Sequence, residues 1–201
     1  MYYNLQVHSA YDLLNSTIKY ESLFLKLARD NQKSVVIVDP NMYGAIKAHK
    51  ESKKAGINLI QGLEVNLGYG IGFLKFNILC KSEKMFYKLL EISTKFMNGE
   101  EWTVENFSSE MKEYSDDFVL IVVDELRDSM EFSYLNNLFS NYDFYFGFNE
   151  SFQVSPYGFY ENVVYTKPSF YLNKENYQQV IVSRAIRDNK KLNIQELTTI
   201  S

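Results

Sequence analysis

The stretch VVIVDPNMYGAIKAHKESKKAGINLIQGLEV, residues 35–65, sets the expectation for the fold. It opens with β-branched residues that end in an acid at Asp39, which is typical of a buried parallel strand. A polar-rich helix is predicted from Gly44 to Gly56, since glycine suits the left-handed position just past a helix end. The apolar run INLIQGLEV then predicts a second strand. The stretch therefore predicts a β-α-β unit.

Strand and helix signals alternate in the same way along the rest of the chain. An opening strand is predicted at Tyr2 to Val7, and a helix follows it. The later predicted strands are GFLKFNILC (72–80), FVLIVV (118–123), DFYFGF (143–148) and NVVYT (162–166), most of them followed by helical patterns. About seven strands in this arrangement predict an α/β fold, as a closed or nearly closed barrel or a doubly wound sheet. We expect a single domain over residues 1–201.

Composition excludes several classes of protein. The chain of 201 residues is 46% hydrophobic and 23% charged, which predicts an ordinary buried core. Its net charge of −4 and its lack of Lys or Arg blocks argue against strong DNA binding by this chain alone. A single cysteine, Cys80, excludes an internal disulfide and fits a reducing compartment. The sequence has neither an apolar run of membrane-spanning length nor a signal-peptide start, so we expect a cytoplasmic protein away from membranes.

Polar residues at the predicted strand ends are the candidates for a functional site, because such residues gather at one edge of a parallel α/β fold. They are Gln6, His8, Asp39, Glu64, Lys75, Asn77, Asp124, Glu125 and Lys167. His8, Asp39 and Glu64 could share a divalent cation. The alternative is structural: His8 satisfied by hydrogen bonds, Asp39 as a turn acid, and Glu64 on a solvent-facing strand.

No other catalytic motif is present. GYGIG (68–72) lacks both the Lys-Ser/Thr of a phosphate-binding loop and the helix that should follow a dinucleotide fingerprint. There is no G-x-S-x-G elbow and no cysteine pair spaced for zinc. His49 lies on a predicted helix face crowded with lysines, so we interpret it as a surface residue.

Four stretches in order carry a family resemblance over nearly the whole chain. They are LQVHSAYDLLNS (5–16), the opening stretch at 35–65, ILCKSEKMFYKLLEIST (78–94) and NVVYTKPSFYLNKENYQQVIVSRAIRDNKKL (162–192). Together they resemble the PHP (polymerase and histidinol phosphatase) domain at the N-terminus of the bacterial DNA polymerase III alpha subunit. The resemblance implies a distorted seven-stranded (β/α) TIM-like barrel, the PHP fold, as an N-terminal fragment of a much longer polymerase subunit.

The resemblance also implies which residues would hold metal in a family member with a live site. His8, Asp39 and Glu64 match the family's ligand positions and remain as vestigial site residues. Seven further positions carry residues other than the expected ligands: Gln6, Asn15, Pro40, Lys75, Gly147, Pro168 and Phe170. Multi-metal hydrolysis needs several ligands on each cation, and Lys75 would repel cations. We therefore expect no catalytic residue, no bound metal and no cofactor in this domain.

The implied role is structural support of the polymerase during DNA replication. The implied partner is the remainder of the alpha subunit, which would supply Mg²⁺-dependent nucleotidyl transfer and all contact with DNA. An active metal-dependent phosphoesterase or proofreading 3′-exonuclease using His8, Asp39 and Glu64 is the alternative. A free-standing interaction module is a third possibility. The aromatic-rich stretch at 143–160 is expected to be either an interface buried in the full subunit or core.

Overall fold

Helices and strands alternate along the part of the chain that the computed structural model describes, residues 4–126, 128–149 and 162–192. The helices are α1 (Tyr20–Arg29), α2 (Ala45–Ala55), α3 (Glu83–Met97), α4 (Val104–Glu110), α5 (Ser129–Leu138) and α6 (Tyr177–Arg187). The strands are β1 (Ser34–Asp39), β2 (Asn58–Tyr69), β3 (Gly72–Cys80), β4 (Phe118–Val122), β5 (Asp143–Phe148) and β6 (Val163–Tyr165). The six strands follow one another in a mixed sheet in chain order. The predicted α/β class is confirmed.

The contacts between residues divide the chain into two compact units. The first consists of the described residues within Met1–Asp39, Tyr43–Leu59 and Pro168–Ser201, and the second of those within Pro40–Met42 and Ile60–Lys167. The first unit holds β1, α1, α2 and α6, and the second holds α3 to α5 and β3 to β6. Each unit has its own set of buried side chains.

The predicted opening strand is reduced to one residue among those described. Val7 forms isolated parallel bridges with Ile37 of β1 and with Ser169, and Tyr2 lies outside the described residues. The main-chain N–H of Val38 donates to the carbonyl of Val7 at 2.9 Å. The described strands are therefore six rather than seven, although Val7 occupies the place where the seventh was expected.

The core of the first unit forms between α1, α2 and β1. Leu23 and Phe24 of α1 are buried against Ile37 of β1 and Ala48 of α2. Gly56 ends α2 with a φ of 65°, in the left-handed region, as its position after the helix predicts. Each large apolar side chain removed from water in this way contributes about 1.5–3 kcal/mol of stabilisation.

The second unit departs from the expected parallel pattern. Strands β2 and β3 pair in antiparallel register, with Glu64 opposite Asn77, and β3 and β4 are also antiparallel. The cause of the first pairing is local: only Gly70 and Ile71 separate β2 from β3, and a two-residue connection can join only antiparallel neighbours. Gly70 supplies the positive φ, 57°, that such a turn requires. Strands β4, β5 and β6 are parallel, as predicted.

Aromatic side chains fill the core of the second unit. Phe107 of α4 contacts Phe118 and Phe139 edge-on, and Phe139 in turn contacts Phe76 and Phe144. Such edge-to-face pairs contribute about 0.5–1.5 kcal/mol beyond the area that they bury. The β5 part of the aromatic-rich stretch thus belongs to the core at Phe144 and Phe146, which are both buried. Residues 150–161 of that stretch lie outside the described residues.

Side-chain caps begin three helices of this unit. Ser82 accepts the main-chain N–H of Met85 at the start of α3, and Thr103 accepts that of Asn106 at the start of α4. Asp128 does the same for α5. Among the described residues, no helix has both the length and the apolar character needed to cross a membrane.

Candidate functional site

Asp39 ends β1 in a pocket of hydrogen-bond donors within the first unit. The main-chain N–H of Ser9 donates to Asp39 Oδ1 at 2.6 Å, and the Ser9 hydroxyl donates to Oδ2 at 2.5 Å. The Tyr20 hydroxyl also donates to Oδ2, at 3.2 Å. Ser9, Tyr20 and Asp39 are all buried. Both carboxylate oxygens are therefore committed to ordering the Ser9 turn and the start of α1.

Burial dominates the ionisation of this pocket. It raises the pKa of Asp39 above its ordinary value of 3.8, and the two hydrogen bonds from Ser9 oppose that rise only in part. Burial also raises the pKa of Tyr20, and the nearby Asp39 carboxylate raises it further. The Tyr20 hydroxyl is therefore a neutral donor to Asp39 at every physiological pH.

His8 is held beside this pocket by neighbours close in sequence. Its ring is 1% exposed, and Nδ1 lies 3.0 Å from Asp12 Oδ2, four residues later in the sequence. The main-chain N–H of His8 donates to the carbonyl of Ser169 at 3.0 Å, and its carbonyl accepts the Ser16 hydroxyl at 2.6 Å. These contacts fix the imidazole ring with Asp12 at one of its nitrogens.

Phe170 covers the His8 ring. The two rings stack with centroids 4.7 Å apart and planes inclined at 26°. The Arg184 guanidinium of α6 lies over the Phe170 ring at 4.3 Å, a cation–π distance. Arg184 Nε donates to Asn15 Oδ1 at 2.8 Å, and Asn15 Nδ2 donates to Asp12 at 2.6 Å. A closed set of contacts thus joins His8, Phe170, Arg184, Asn15 and Asp12.

Glu64 and Lys75 form an ion pair on neighbouring strands of the second unit. Lys75 Nζ lies 3.4 Å from Glu64 Oε1, and the two side chains are 38% and 12% exposed. The main-chain N–H of Lys75 donates to Asp124 Oδ2 at 2.7 Å. A lysine ammonium thus stands beside the glutamate that the family resemblance assigns to a cation. A positive charge at this distance opposes the binding of a metal ion by Glu64.

Gly147 of β5 leaves no room for a side chain. A Cβ built at this position would lie 2.8 Å from Thr166 Oγ1 and 2.9 Å from the carbonyl oxygen of Val122. Both distances are shorter than real Cβ contacts allow, and Thr166 is buried. A glutamate ligand, which the resemblance expects here, would require the strands around it to move.

Asn77 of β3 is fully buried. Neither Oδ1 nor Nδ2 of Asn77 has a hydrogen-bond partner among the described residues. Its register partners are Glu64 on β2 and Ile121 on β4. A buried polar group without a partner costs about 1–3 kcal/mol of stability.

We expect replacement of Asn77 with leucine, which has a similar volume, to raise the free energy of unfolding by about 1–2 kcal/mol. The cause is the removal of both unsatisfied amide atoms. Urea denaturation of the wild type and of Asn77→Leu measures the change. Asn106→Leu, at an exposed asparagine on α4, is the matched control and should differ from the wild type by less than about 0.5 kcal/mol. A destabilised Asn77→Leu protein would contradict the prediction and show that the amide has a partner.

The remaining predicted site residues are either buried or exposed, as follows. Gln6 is buried, and its main-chain carbonyl accepts the N–H of Ser169 at 2.9 Å. Pro40, Glu125 and Pro168 are exposed. Sequence reasoning missed four residues that shape the site: Ser9, Asp12, Tyr20 and Arg184. Ser9 and Asp12 could have been found from the sequence, because they lie in the turn that begins at His8. The contacts of Tyr20 and Arg184 are with residues distant in the sequence, so no local pattern indicates them.

The residues present do not fit a multi-metal centre. Within residues 4–126, 128–149 and 162–192, no three His, Cys, Asp or Glu side chains are placed to hold a metal ion together. Asp39 already accepts three hydrogen bonds, Phe170 stacks on His8, and Lys75 pairs with Glu64. Among the described residues, no set of ligands of the kind that metal-assisted hydrolysis uses is brought together.

Sequence comparison finds relatives of which this chain covers only a small part. The DNA polymerase III alpha subunit of Staphylococcus epidermidis is 25% identical over 194 residues, covering 95% of this chain and 17% of the relative. The alpha subunit of Borreliella burgdorferi is 28% identical over 71% of this chain, and that of Mycoplasma genitalium is 34% identical over 46%. The chain spans between 11% and 17% of the length of these relatives.

Comparison with solved structures finds proteins of similar fold, and comparison with family models identifies the family. A protein described as a metal-dependent phosphoesterase, from Bifidobacterium adolescentis, matches with a TM-score of 0.53 at 9% identity, covering 94% of this chain and 84% of its own. An amidohydrolase from Chromobacterium violaceum matches with a TM-score of 0.56 at 10% identity, covering 90% and 96%. At such identities the likeness extends to the fold alone. The PHP domain model matches residues 4–130, more than half of the chain, so the protein belongs to the PHP domain family.

Proposed function

We propose that this chain is the PHP-like domain of a DNA polymerase III alpha subunit and that it supports the polymerase structurally in DNA replication, without catalysis of its own. The relatives that align with 71–95% of this chain carry that name, and the alignment falls within a small fraction of their length. The observation that carries the proposal is the stacking of Phe170 on His8. An aromatic ring lies there at a position where the family resemblance expects a metal ligand.

The three retained ligand residues support the same conclusion through their contacts. Asp39 organises the Ser9 turn and the start of α1, which is a folding role. Glu64 is neutralised by Lys75, and His8 lies between Asp12 and Phe170. Each residue has exchanged a metal for a protein partner, so the fold retains the residues that stabilise it. In this proposal His8, Asp39 and Glu64 are vestigial, and the domain uses no cofactor.

The chemistry of replication is assigned, in this proposal, to the rest of the subunit. Nucleotidyl transfer, the Mg²⁺ ions that it uses and the contacts with DNA would all lie in the longer chain. The net charge of −4 supports this division, because a nucleic-acid surface is expected to be basic. The partner of this domain is then the remainder of its own subunit, in the cytoplasm.

We expect the purified protein to bind well below one equivalent of zinc, manganese or iron after incubation with each metal and dialysis. The physical reason is that a stable site needs several free ligands, and those retained are engaged elsewhere. Elemental analysis by mass spectrometry measures the content. Two or more equivalents per chain would overturn the proposal.

Enzyme assays give a separate test of the same point. Phosphatase and 3′-exonuclease activity are measured with added Mn²⁺, with His8→Ala as the matched control. We expect no activity above that control. If the wild type is active and His8→Ala abolishes the activity, the alternative hypothesis of a metal-dependent phosphoesterase or exonuclease would be established instead.

A further inference from the structure

A groove of about 470 Å³ lies on the second unit, beside the hairpin of β2 and β3. Phe73 and Phe96 provide its apolar lining, and Asn66 and Gly99 complete the floor. Glu100 and Glu101 line it from the segment that follows α3. We call this feature the hairpin groove. No residue of the groove is among the candidate site residues considered above.

The walls of the hairpin groove are built from regular contacts. The main-chain N–H of Gly68 on β2 donates to the carbonyl of Trp102 at 2.8 Å, and Gly68 also bridges to Thr103. The Phe96 ring packs edge-on against Trp102 with centroids 5.6 Å apart. These contacts hold the segment after α3 alongside the hairpin. The groove is therefore shaped by the fold before any partner arrives.

A large apolar side chain is exposed in this groove, and another lies close to it in the sequence. Phe73, which lines the groove, is 57% exposed, and Ile71, two residues earlier at the hairpin turn, is 100% exposed. A tight two-residue turn is usually occupied by Gly, Asn or Asp, so an isoleucine there has no local structural purpose. Covering a phenylalanine or isoleucine removes apolar surface from water and favours association. The exposed side chains make the groove suited to an apolar partner.

The charge at the groove is negative. Glu100 and Glu101 are exposed, and neither has an ion pair among the residues that the structure describes. Two neighbouring lysines already form ion pairs with other glutamates. Lys95 Nζ lies 2.7 Å from Glu91 Oε1, and Lys75 pairs with Glu64. Two uncompensated carboxylates thus border an apolar surface. A partner with Lys or Arg beside its apolar side chain would be complementary to both features.

We propose that the hairpin groove is a docking site for a segment of another polypeptide that presents a large apolar side chain flanked by basic residues. A second copy of this chain is disfavoured, because each copy carries a net charge of −4 and would meet acid with acid. Nucleic acids and anionic membranes are repelled by the same two carboxylates. The inference does not depend on the proposed loss of metal chemistry.

The single tryptophan of the chain makes the proposal testable by fluorescence. Trp102 is the only tryptophan, and it contacts the groove residue Phe96. The probe is a synthetic peptide of about 14 residues with Leu at helical spacing and Lys elsewhere, compared with one in which Glu replaces Lys. We expect a saturable change in Trp102 emission with the Leu/Lys peptide and none with the Leu/Glu peptide.

Variants locate the binding on the surface. Two variants, Phe73→Ser and the double variant Glu100→Lys with Glu101→Lys, are tested separately. Each should weaken the binding of the Leu/Lys peptide by roughly tenfold or more. Leu25→Ser and Glu175→Lys, at exposed positions of the first unit, are the matched controls and should bind as the wild type does. Circular dichroism confirms that each variant is folded.

Three results of the binding experiments would overturn the proposal. They are the absence of saturable binding, equal binding of the two peptides, and binding that the groove variants leave unchanged. Self-association in sedimentation experiments that Phe73→Ser abolishes would also overturn it, because the occupant would then be a second copy of this chain.

Discussion

Replacing Gly147 with alanine is expected to lower the free energy of unfolding by about 3 kcal/mol, the upper end of the cost of overpacking a filled core. The added Cβ would meet Thr166 Oγ1 at 2.8 Å and the Val122 carbonyl oxygen at 2.9 Å. One obstacle is the main chain of β4, and the other is a buried side chain, so neither can yield cheaply. Urea denaturation of the wild type and Gly147→Ala measures the difference.

Gly68→Ala provides the matched control within the same sheet. A Cβ at Gly68 would lie 3.6 Å from its nearest neighbour, the Trp102 carbonyl oxygen, which is an ordinary contact. The change in free energy there should stay within about 0.5 kcal/mol, or stabilise slightly through the unfolded state. A Gly147→Ala protein as stable as the wild type would mean that β5 has room for a side chain. The position would then again be open to a metal ligand.

Replacing Asp39 with alanine is expected to cost about 3 kcal/mol, because it leaves the Ser9 N–H, the Ser9 hydroxyl and the Tyr20 hydroxyl without their acceptor. Each buried donor left unsatisfied costs about 1–3 kcal/mol, although the two hydroxyls, whose oxygens lie 3.0 Å apart, can partly satisfy each other. Asp39→Asn keeps one acceptor oxygen and should cost about 1 kcal/mol. An Asp39→Ala protein that is as stable as the wild type, or more stable, would show that the carboxylate is kept for a ligand.

The pH dependence of the same variants provides an independent readout. Because burial raises the pKa of Asp39 in the folded protein above 3.8, the folded state binds this proton more tightly than the unfolded state. The part of the free energy of unfolding that depends on the ionisation of Asp39 is therefore fully present below pH 3.8 and is lost as pH rises through the higher folded pKa. The stability difference between wild type and Asp39→Asn should fall over that window. A difference that rises with pH would contradict the assigned direction.

Local signals in the sequence predicted much of the secondary structure correctly. The β-branched run that ends at Asp39 and the helix that ends at Gly56 both lie where their residues predicted them. These features depend on backbone preferences and on contacts within a few residues, which a single sequence records directly. The family motifs also predicted a PHP domain, and the match to the PHP family model over residues 4–130 confirms that prediction.

Strand direction was less accessible from the sequence. The expectation of parallel strands holds for β4 to β6 but is wrong for the pairing of β2 with β3 and of β3 with β4. The two-residue connection at Gly70 and Ile71 is a local signal for the first of these pairings, because it is too short to join parallel strands. The antiparallel β3–β4 pairing has no such local signal, since two helices lie between these strands.

For the candidate site, the sequence by itself determined which residues are present: a histidine, an aspartate and a glutamate at three of the family's ligand positions, and other residues at seven more. Only the tertiary structure decided what these residues contact. It placed Phe170 on His8, Tyr20 on Asp39, Lys75 beside Glu64 and the walls of β4 and Thr166 around Gly147. The physical reason is that the residue type alone fixes the chemical groups of a side chain. Which other side chain it contacts depends on how segments distant in the sequence pack together.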